Sequence, residues 1–346
     1  MAGDLAARLK AEAARLGFDR VGIAPAVTPA GYGHYQDWLR DGCEAGMSYM
    51  RTREAAREHP DSILPGVRSI VVGAMIYGER AVPSNDPRRG RVARYARGAD
   101  YHAVLWSKLD ALLAWLQIEQ PGLRGRSVAD TAPLLERDFA RLAGLGWIGK
   151  NTMLIGRSIG SFTVLGSLLV DAELDYDAPH VTDHCGTCTR CLDACPTGAF
   201  DGPNRLDASK CLSYWTIEHR GPIPEEYAAN LEGWAFGCDT CQDVCPWNRK
   251  APNGREPALA GRPEWTDPDL IAWLEMDAEE LRLRIKGTAL ARAKRAGLVR
   301  NAALILGTRL VREAVPALRR LVDDDDALVR AAASWALARI ESSQES

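Results

Sequence analysis

The 346-residue sequence has no run approaching the ~18 consecutive apolar residues that a membrane-spanning helix needs. Its first ten residues, Met-Ala-Gly-Asp-Leu-Ala-Ala-Arg-Leu-Lys, carry charge where a signal peptide needs an apolar core. A cytoplasmic protein with no membrane partner is the expectation. Net charge is only −3, so no whole-molecule field advertises a nucleic-acid or membrane surface. No Gly-x-Gly-x-x-Gly opens a helix after a strand, which removes support for a dinucleotide-binding first unit. Coiled-coil heptads are absent too, and a monomer is expected. Apolar residues at 46% and charged residues at 26% exclude global disorder and collagen-like repeats. At ~100–200 residues per domain, two or three domains fit the length.

Cysteine is what the chain does have. Eight of its nine cysteines lie between Cys185 and Cys245. In a reducing compartment, thiols at such short spacings are metal ligands more often than disulfides. Cys43 stands apart and reads as a small buried hydrophobe.

Periodicity divides the chain into three parts, 1–175, 176–255 and 256–346. The first alternates helix-like and strand-like segments. Leu5, Leu9, Ala13 and Leu16 share a helical face, and Gly17 stops that helix before a short strand at 20–24. The β-branched run 68–77 has the pattern of a strand buried on both faces. Leu105, Leu109, Leu112, Leu113 and Leu116 mark a helix over 101–116. Strands are expected at 126–131 and 161–170, with a helical stretch at 133–145 between them. A sheet covered by helices follows, with its strand order left open. From about 182 to 250 the sequence is rich in Cys, Pro, Gly and Asp. Such a segment buries too little apolar surface to offset its ordering entropy, so metal–sulfur bonds are expected to hold it.

In the tail, residues 298–310 match 328–340 at six of thirteen positions. A helical unit read twice is the sign of a short HEAT-like α-solenoid, and two units are expected to pack on the rest of the chain. From Arg282 to Arg320 there are eleven Lys or Arg against one acid, Glu313; Asp323–Asp326 then hides that charge in the overall sum.

Cys185-x-x-Cys188-x-x-Cys191-x-x-x-Cys195-Pro196 matches the ferredoxin run for a [4Fe–4S] cluster, whose fourth cysteine ligates a second cluster. Downstream, Cys238-x-x-Cys241-x-x-x-Cys245-Pro246 is a shorter half, and Cys211 supplies its missing ligand. Exchanging the trailing cysteines gives Cys185, Cys188, Cys191 and Cys245 to cluster one. Cluster two then takes Cys195, Cys211, Cys238 and Cys241. Structural zinc is the rival reading, but zinc sites seldom use three closely spaced thiols followed by Cys-Pro. Two clusters make a wire for single electrons, and the amino-terminal part is where a second redox centre belongs.

The cysteine order, Ala93-Arg-Tyr-Ala-Arg-Gly-Ala-Asp-Tyr-His102, Asp130-Thr-Ala-Pro133, Gly146-Trp-Ile-Gly-Lys-Asn151 and Gly287-Thr-Ala289 through Arg300-Asn-Ala302 together resemble the epoxyqueuosine reductase family. One departure is Ser167, where the family usually has Glu after Leu-Gly. The resemblance implies an α+β multidomain chain: an α/β cobalamin-binding domain, a ferredoxin-like two-cluster domain and a HEAT-like solenoid. It implies cobalamin beside two [4Fe–4S] clusters, and tRNA carrying epoxyqueuosine as substrate. Reduction by two electrons and two protons, fed by an external low-potential donor such as ferredoxin or flavodoxin, would give queuosine, the last step of its synthesis.

By the same resemblance Asp130 is the proton donor to the leaving epoxide oxygen. Read alone, its place before Pro133 also suits a helix cap. A donor role calls for a carboxyl of raised pKa in a dry pocket. Arg57, Tyr95, Lys150 and Asn151 lie in matching motifs and are expected to line the corrin with Asp130. Surface charge (Arg57, Lys150), core packing (Tyr95) and a turn (Asn151) are the plainer alternatives. His102 reads as the start of a helix after Asp100, and His184 as a neighbour of cluster one. Lys286, Arg292, Lys294, Arg295 and Arg300 are the expected tRNA contacts, joined by Arg88, Arg89, Arg91, Arg94 and Arg97, since clustered cations meet phosphates without reading sequence. A corrinoid iron–sulfur reductive dehalogenase and an iron–sulfur electron-transfer subunit are the rival functions. The former usually has a paired-arginine export signal and has no use for a basic helical tail.

Overall fold

The β-branched run forms the centre of the amino-terminal sheet. In the computed structural model, which describes residues 2–78 and 84–343, four strands are ordered β1 (Arg20–Pro25), β2 (Ser69–Ile76), β4 (Thr163–Val170) and β3 (Gly125–Val128). All three pairings are antiparallel, a direction the sequence left open. Every residue of β2 is buried, because helices cover both faces. Val71 and Met75 point to a core shared with Leu9 of α1 (Ala2–Arg15) and with Leu105, Leu109, Leu112 and Leu116 of α2 (Tyr101–Glu119). Ile70, Val72, Ala74 and Ile76 point the other way, toward Phe139 and Ala140 of α3 (Glu136–Leu142). This is the period-two alternation of a doubly covered strand.

Two boundaries differ from expectation, and both adjoin the candidate site. Strand β3 ends at Val128 and the helix begins only at Glu136. Between them Asp130 adopts a left-handed backbone, φ 57°. A non-glycine residue held there costs about 1–3 kcal/mol and cannot continue a strand.

The cysteine segment makes only short turns, such as Arg190–Asp193 and Thr240–Asp243. It is stitched to the sheet domain by a parallel bridge of Arg91–Val92 to Trp234–Phe236. Gly160 marks another close approach: its φ is 68°, and a Cβ there would lie 2.2 Å from Asn248 Oδ1. The neighbouring Ser161 amide donates to that same oxygen at 2.7 Å.

In the tail, α4 (Lys294–Thr308), α5 (Val315–Leu321) and α6 (Ala327–Ser342) carry the repeat. Val299, Ala302 and Ala303 of α4 and their repeat partners Val329, Ala332 and Ala333 of α6 are all buried. The repeats do pack on the rest of the chain. One hydrophobic core runs from Val92 and Ala96 through Leu212, Trp234 and Phe236 to Leu298, Leu318 and Ile340. Among the described residues, no helix is long and apolar enough to cross a membrane.

Candidate active site

The thiols fall into two groups. A cavity of about 220 Å³ is lined by Cys185, Cys188, Cys191 and Cys245, with His184, Arg190 and Trp247 at its edge. Cys245 therefore sits with the first run, as the exchange of trailing cysteines predicts. Of the expected second set, Cys211 acts electrostatically on Cys238 and Cys241, and Cys195 on Cys211, while Cys241 also feels Cys191 of the first set. Burial pushes the thiols of Cys211, Cys238 and Cys241 up, Cys238 to about 12, so only bound metal would hold these three as thiolates. Around one zinc ion, thiolates would converge to about 3.8 Å from each other. Among the described residues no such convergence on a single ion occurs. A four-iron cube takes a thiolate at each corner, and four cysteines line the cavity.

Lys150 and Asn151 brace these loops. Lys150 Nζ donates to the carbonyls of Gly186 (2.6 Å) and Cys188 (3.0 Å). Asn151, 3% exposed, donates to the Cys241 carbonyl at 3.4 Å. One motif thus holds both cysteine loops. Trp147 stacks on His180 and meets His184 and Trp247 edge-on, walling cluster one.

Asp130 lies on the loop before α3, its side chain 63% exposed. Tyr101 OH donates to Asp130 Oδ2 at 3.1 Å, and His102 Nε2 lies 3.4 Å from the same oxygen. His102 Nδ1 contacts Asp100 Oδ1 at 2.7 Å, and that oxygen also caps α2 by accepting from the His102 amide. The amide of Asp130 donates to Glu136 Oε1 at 2.7 Å. His102, Tyr101 and Glu136 were not among the expected site residues. The motif Asp100-Tyr-His102 held the signal, hidden by its fit to a helix start.

The electrostatics invert one expectation. The hydrogen bond and charge of His102 hold the Asp130 carboxyl below its ordinary value, where a raised one was expected. Burial opposes charge on His102, but bonds to Asp100 and Asp130 outweigh it and bring the imidazole up to about 9. Burial and the charge of Asp130 push Glu136 up to about 8. At neutral pH the proton therefore rests on His102 and Glu136, beside the carboxylate that would pass it on.

An aromatic path joins this group to cluster two. Tyr101 meets Tyr95 edge-on at 5.8 Å, and Tyr95 meets Phe236 at 6.3 Å, two residues before Cys238. Tyr95 is thus packed in an aromatic wall with Tyr77. Arg57 is 8% exposed, donates to the carbonyls of Met50 and Arg53 and lies over Tyr35. These contacts give it a local structural role. On the other side of the Asp130 loop, a cavity of about 470 Å³ is lined by Arg53, Trp106, Arg126, Ser127 and Thr131–Pro133. Ser127 Oγ there is buried without a partner.

The basic residues divide. Arg300 is 1% exposed and donates to the carbonyls of His219, Gly221 and Trp215, so its expected tRNA contact is overturned by burial. Arg295 is committed to Asp324, and Arg292 to Glu218. Lys286 and Lys294 are exposed. The second arginine stretch is structural: Arg88 pairs with Asp86, Arg89 donates to the Asp267 carbonyl, Arg91 lies over Trp234, Arg94 pairs with Asp243, and Arg97 donates to the Val92 carbonyl.

Two sets of four thiols, the second approached through packed aromatic rings from a carboxylate–imidazole pair, define an iron–sulfur oxidoreductase. The chain is 41% identical over 345 residues to an epoxyqueuosine reductase of Xanthomonas campestris, covering 97% of this chain and 96% of that relative. It is 38% identical to that of Pseudomonas aeruginosa, over 97% of this chain and 94% of the relative. The chain belongs to the epoxyqueuosine reductase family. Residues 57–131 match the family "Epoxyqueuosine reductase QueG, DUF1730", 184–248 a 4Fe-4S double cluster binding domain, and 295–340 a HEAT-like repeat. A crystal structure of epoxyqueuosine reductase with an epoxyqueuosine-modified tRNA stem loop superposes with a TM-score of 0.89 at 30% identity, covering 97% of this chain and 90% of that one. A Bacillus subtilis epoxyqueuosine reductase with its catalytic loop swung out of the active site fits equally, at the same TM-score, identity and coverage. Two [4Fe–4S] clusters, with the family's cobalamin, are the cofactors; the dehalogenase and carrier readings are not favoured.

Proposed function

We propose that Asp130 protonates the leaving oxygen when epoxyqueuosine, at the wobble position of tRNA, is reduced by two electrons and two protons to queuosine with loss of water. The observation that carries this is the carboxylate of Asp130 held between Tyr101 OH and the imidazole of His102. Bound cobalamin supplies a low-valent cobalt nucleophile or reductant, and the clusters supply electrons singly. His102 stores the proton, and Asp130 hands it to the oxygen within reach. Glu136, neutral at physiological pH, fixes the loop by accepting the Asp130 amide. Tyr101 and Tyr95 keep water from the side of the carboxylate that faces cluster two.

Cluster one is assigned Cys185, Cys188, Cys191 and Cys245; cluster two, Cys195, Cys211, Cys238 and Cys241. Arg53, Arg126 and Ser127 offer the donors suited to cobalamin's amide and phosphate groups. Exposed Lys286 and Lys294 are assigned to tRNA phosphates. The working division of labour is 1–175 for cobalamin and catalysis, 176–255 for the clusters and 256–346 for tRNA. The protein acts as a cytoplasmic monomer supplied by a low-potential one-electron donor of the ferredoxin or flavodoxin kind. Oxygen-free purification with iron, sulfide and cobalt analysis, then a tRNA nucleoside assay, tests the reading. Asp130→Asn is expected to keep iron and cobalt and make no queuosine; queuosine formation at the wild-type rate would remove Asp130 from the role.

A further inference from the structure

Tyr49, in the short helix Ser48–Thr52, keeps 41% of its surface exposed, which few large aromatic side chains of this chain do. It is not a stray surface ring. The guanidinium of Arg292 lies 5.6 Å from its centroid. Arg292 is itself pinned: Nε and Nη2 donate to the two carboxylate oxygens of Glu218 at 2.9 and 2.8 Å, and its carbonyl accepts from Arg220 at 2.6 Å. Three distant segments, around residues 49, 218–220 and 292, therefore converge on one ring. That ring stands near the catalytic carboxylate, since the charges of Glu218 and Asp130 both reach its phenol.

An arginine neutralised by a bidentate carboxylate has little left for a phosphate, so the charge-steering role first expected of Arg292 is the weaker use. A guanidinium fixed by its carboxylate and held 5.6 Å from the centroid of an aromatic ring makes a rigid, cationic backing instead. Proteins that take single-stranded loops apart stack the splayed bases on such surfaces. Bringing the wobble base to Asp130 unstacks it from its neighbour in the anticodon loop, and the bared face of that neighbour needs a partner.

We propose that Tyr49, backed by Arg292, is the stacking platform for the nucleotide next to the modified base. This rests on the tRNA reading above. The test uses the cobalamin- and cluster-loaded enzyme and an epoxyqueuosine-bearing anticodon stem loop with 2-aminopurine at either flanking position. Wild type and Tyr49→Phe are expected to quench the probe at one of the two positions. Tyr49→Ala is expected to lose that quenching and bind the loop about tenfold more weakly, with iron and cobalt contents unchanged. Unchanged quenching and affinity in Tyr49→Ala would overturn the proposal. So would loss of cobalt with RNA affinity intact, which would assign the ring to the cofactor instead. Both signals are read without turnover, so an enzyme that binds and quenches yet makes no queuosine sinks the reaction reading and supports the platform.

Discussion

His102 bridges two carboxylates: Nδ1 lies 2.7 Å from Asp100 Oδ1 and Nε2 3.4 Å from Asp130 Oδ2. Asp100 both caps α2 and orients the ring, so one carboxylate serves the helix start and the imidazole. With its pKa raised to about 9, the imidazole is charged throughout the neutral range and discharges only above it. Turnover per enzyme–tRNA encounter is expected to hold to about pH 8 and fall through pH 9. His102→Gln should lower the rate about a hundredfold and lose that alkaline limb. A pH–rate profile of both proteins checks this. The same shift stabilises the fold fully below about pH 6.5, the imidazole's ordinary value, and that contribution is lost as pH rises through about 9.

Glu136 has a linkage of the same sign but of a different cause. Burial lifts its carboxyl from 4.5 to about 8, so the folded chain holds a proton that the unfolded chain has released. Stability is lost as pH rises from about 4.5 through 8. Glu136→Gln keeps an oxygen for the Asp130 amide and carries no charge. It is expected to melt with wild type at pH 5 and about 3 °C or more above it at pH 9. Thermal melts at the two pH values decide it.

The exchange of trailing cysteines makes a prediction against sequence proximity. Cys245 follows the second run yet lines the cavity of the first. Cys245→Ala is expected to disturb cluster one and Cys195→Ala cluster two, each lowering iron content by up to about half. Spectra of the reduced variants, with Cys188→Ala and Cys238→Ala as references, assign the lost signal. Cys245→Ala should resemble Cys188→Ala.

Arg300 and the exposed lysines separate stability from RNA binding. Removing Arg300 strands three carbonyls in a buried site, and Arg300→Met is expected to cost about 3 kcal/mol or more. Lys286→Ala and Lys294→Ala should leave melting unchanged and each reduce the salt dependence of tRNA affinity by about one ion. Denaturant titration and binding at several salt concentrations distinguish the two classes.

What the sequence reveals here follows the range of each interaction. The cysteine runs and the repeat of 298–310 at 328–340 are local patterns, and the alternation in β2 needs only one strand. Strand order needs pairings between residues such as Ser69 and Val170, which no local period encodes. The contact of His102 with Asp130 was missed for a related reason: the two are 28 residues apart, and each fits a helix terminus when read alone. The partners of Arg57, Lys150 and Arg300 are backbone carbonyls, which leave no trace in residue identity. A count of eleven cations says nothing of which ones face inward.

The hydrophobic core that begins at Val92 and ends at Ile340 has a mechanical consequence. The helices proposed to meet RNA and the strand that leads into the second cysteine run rest on one continuous core. Trimming the carboxy-terminal helices would lay bare the backs of Trp234 and Phe236, so substrate grip and electron supply should fail together and at one temperature.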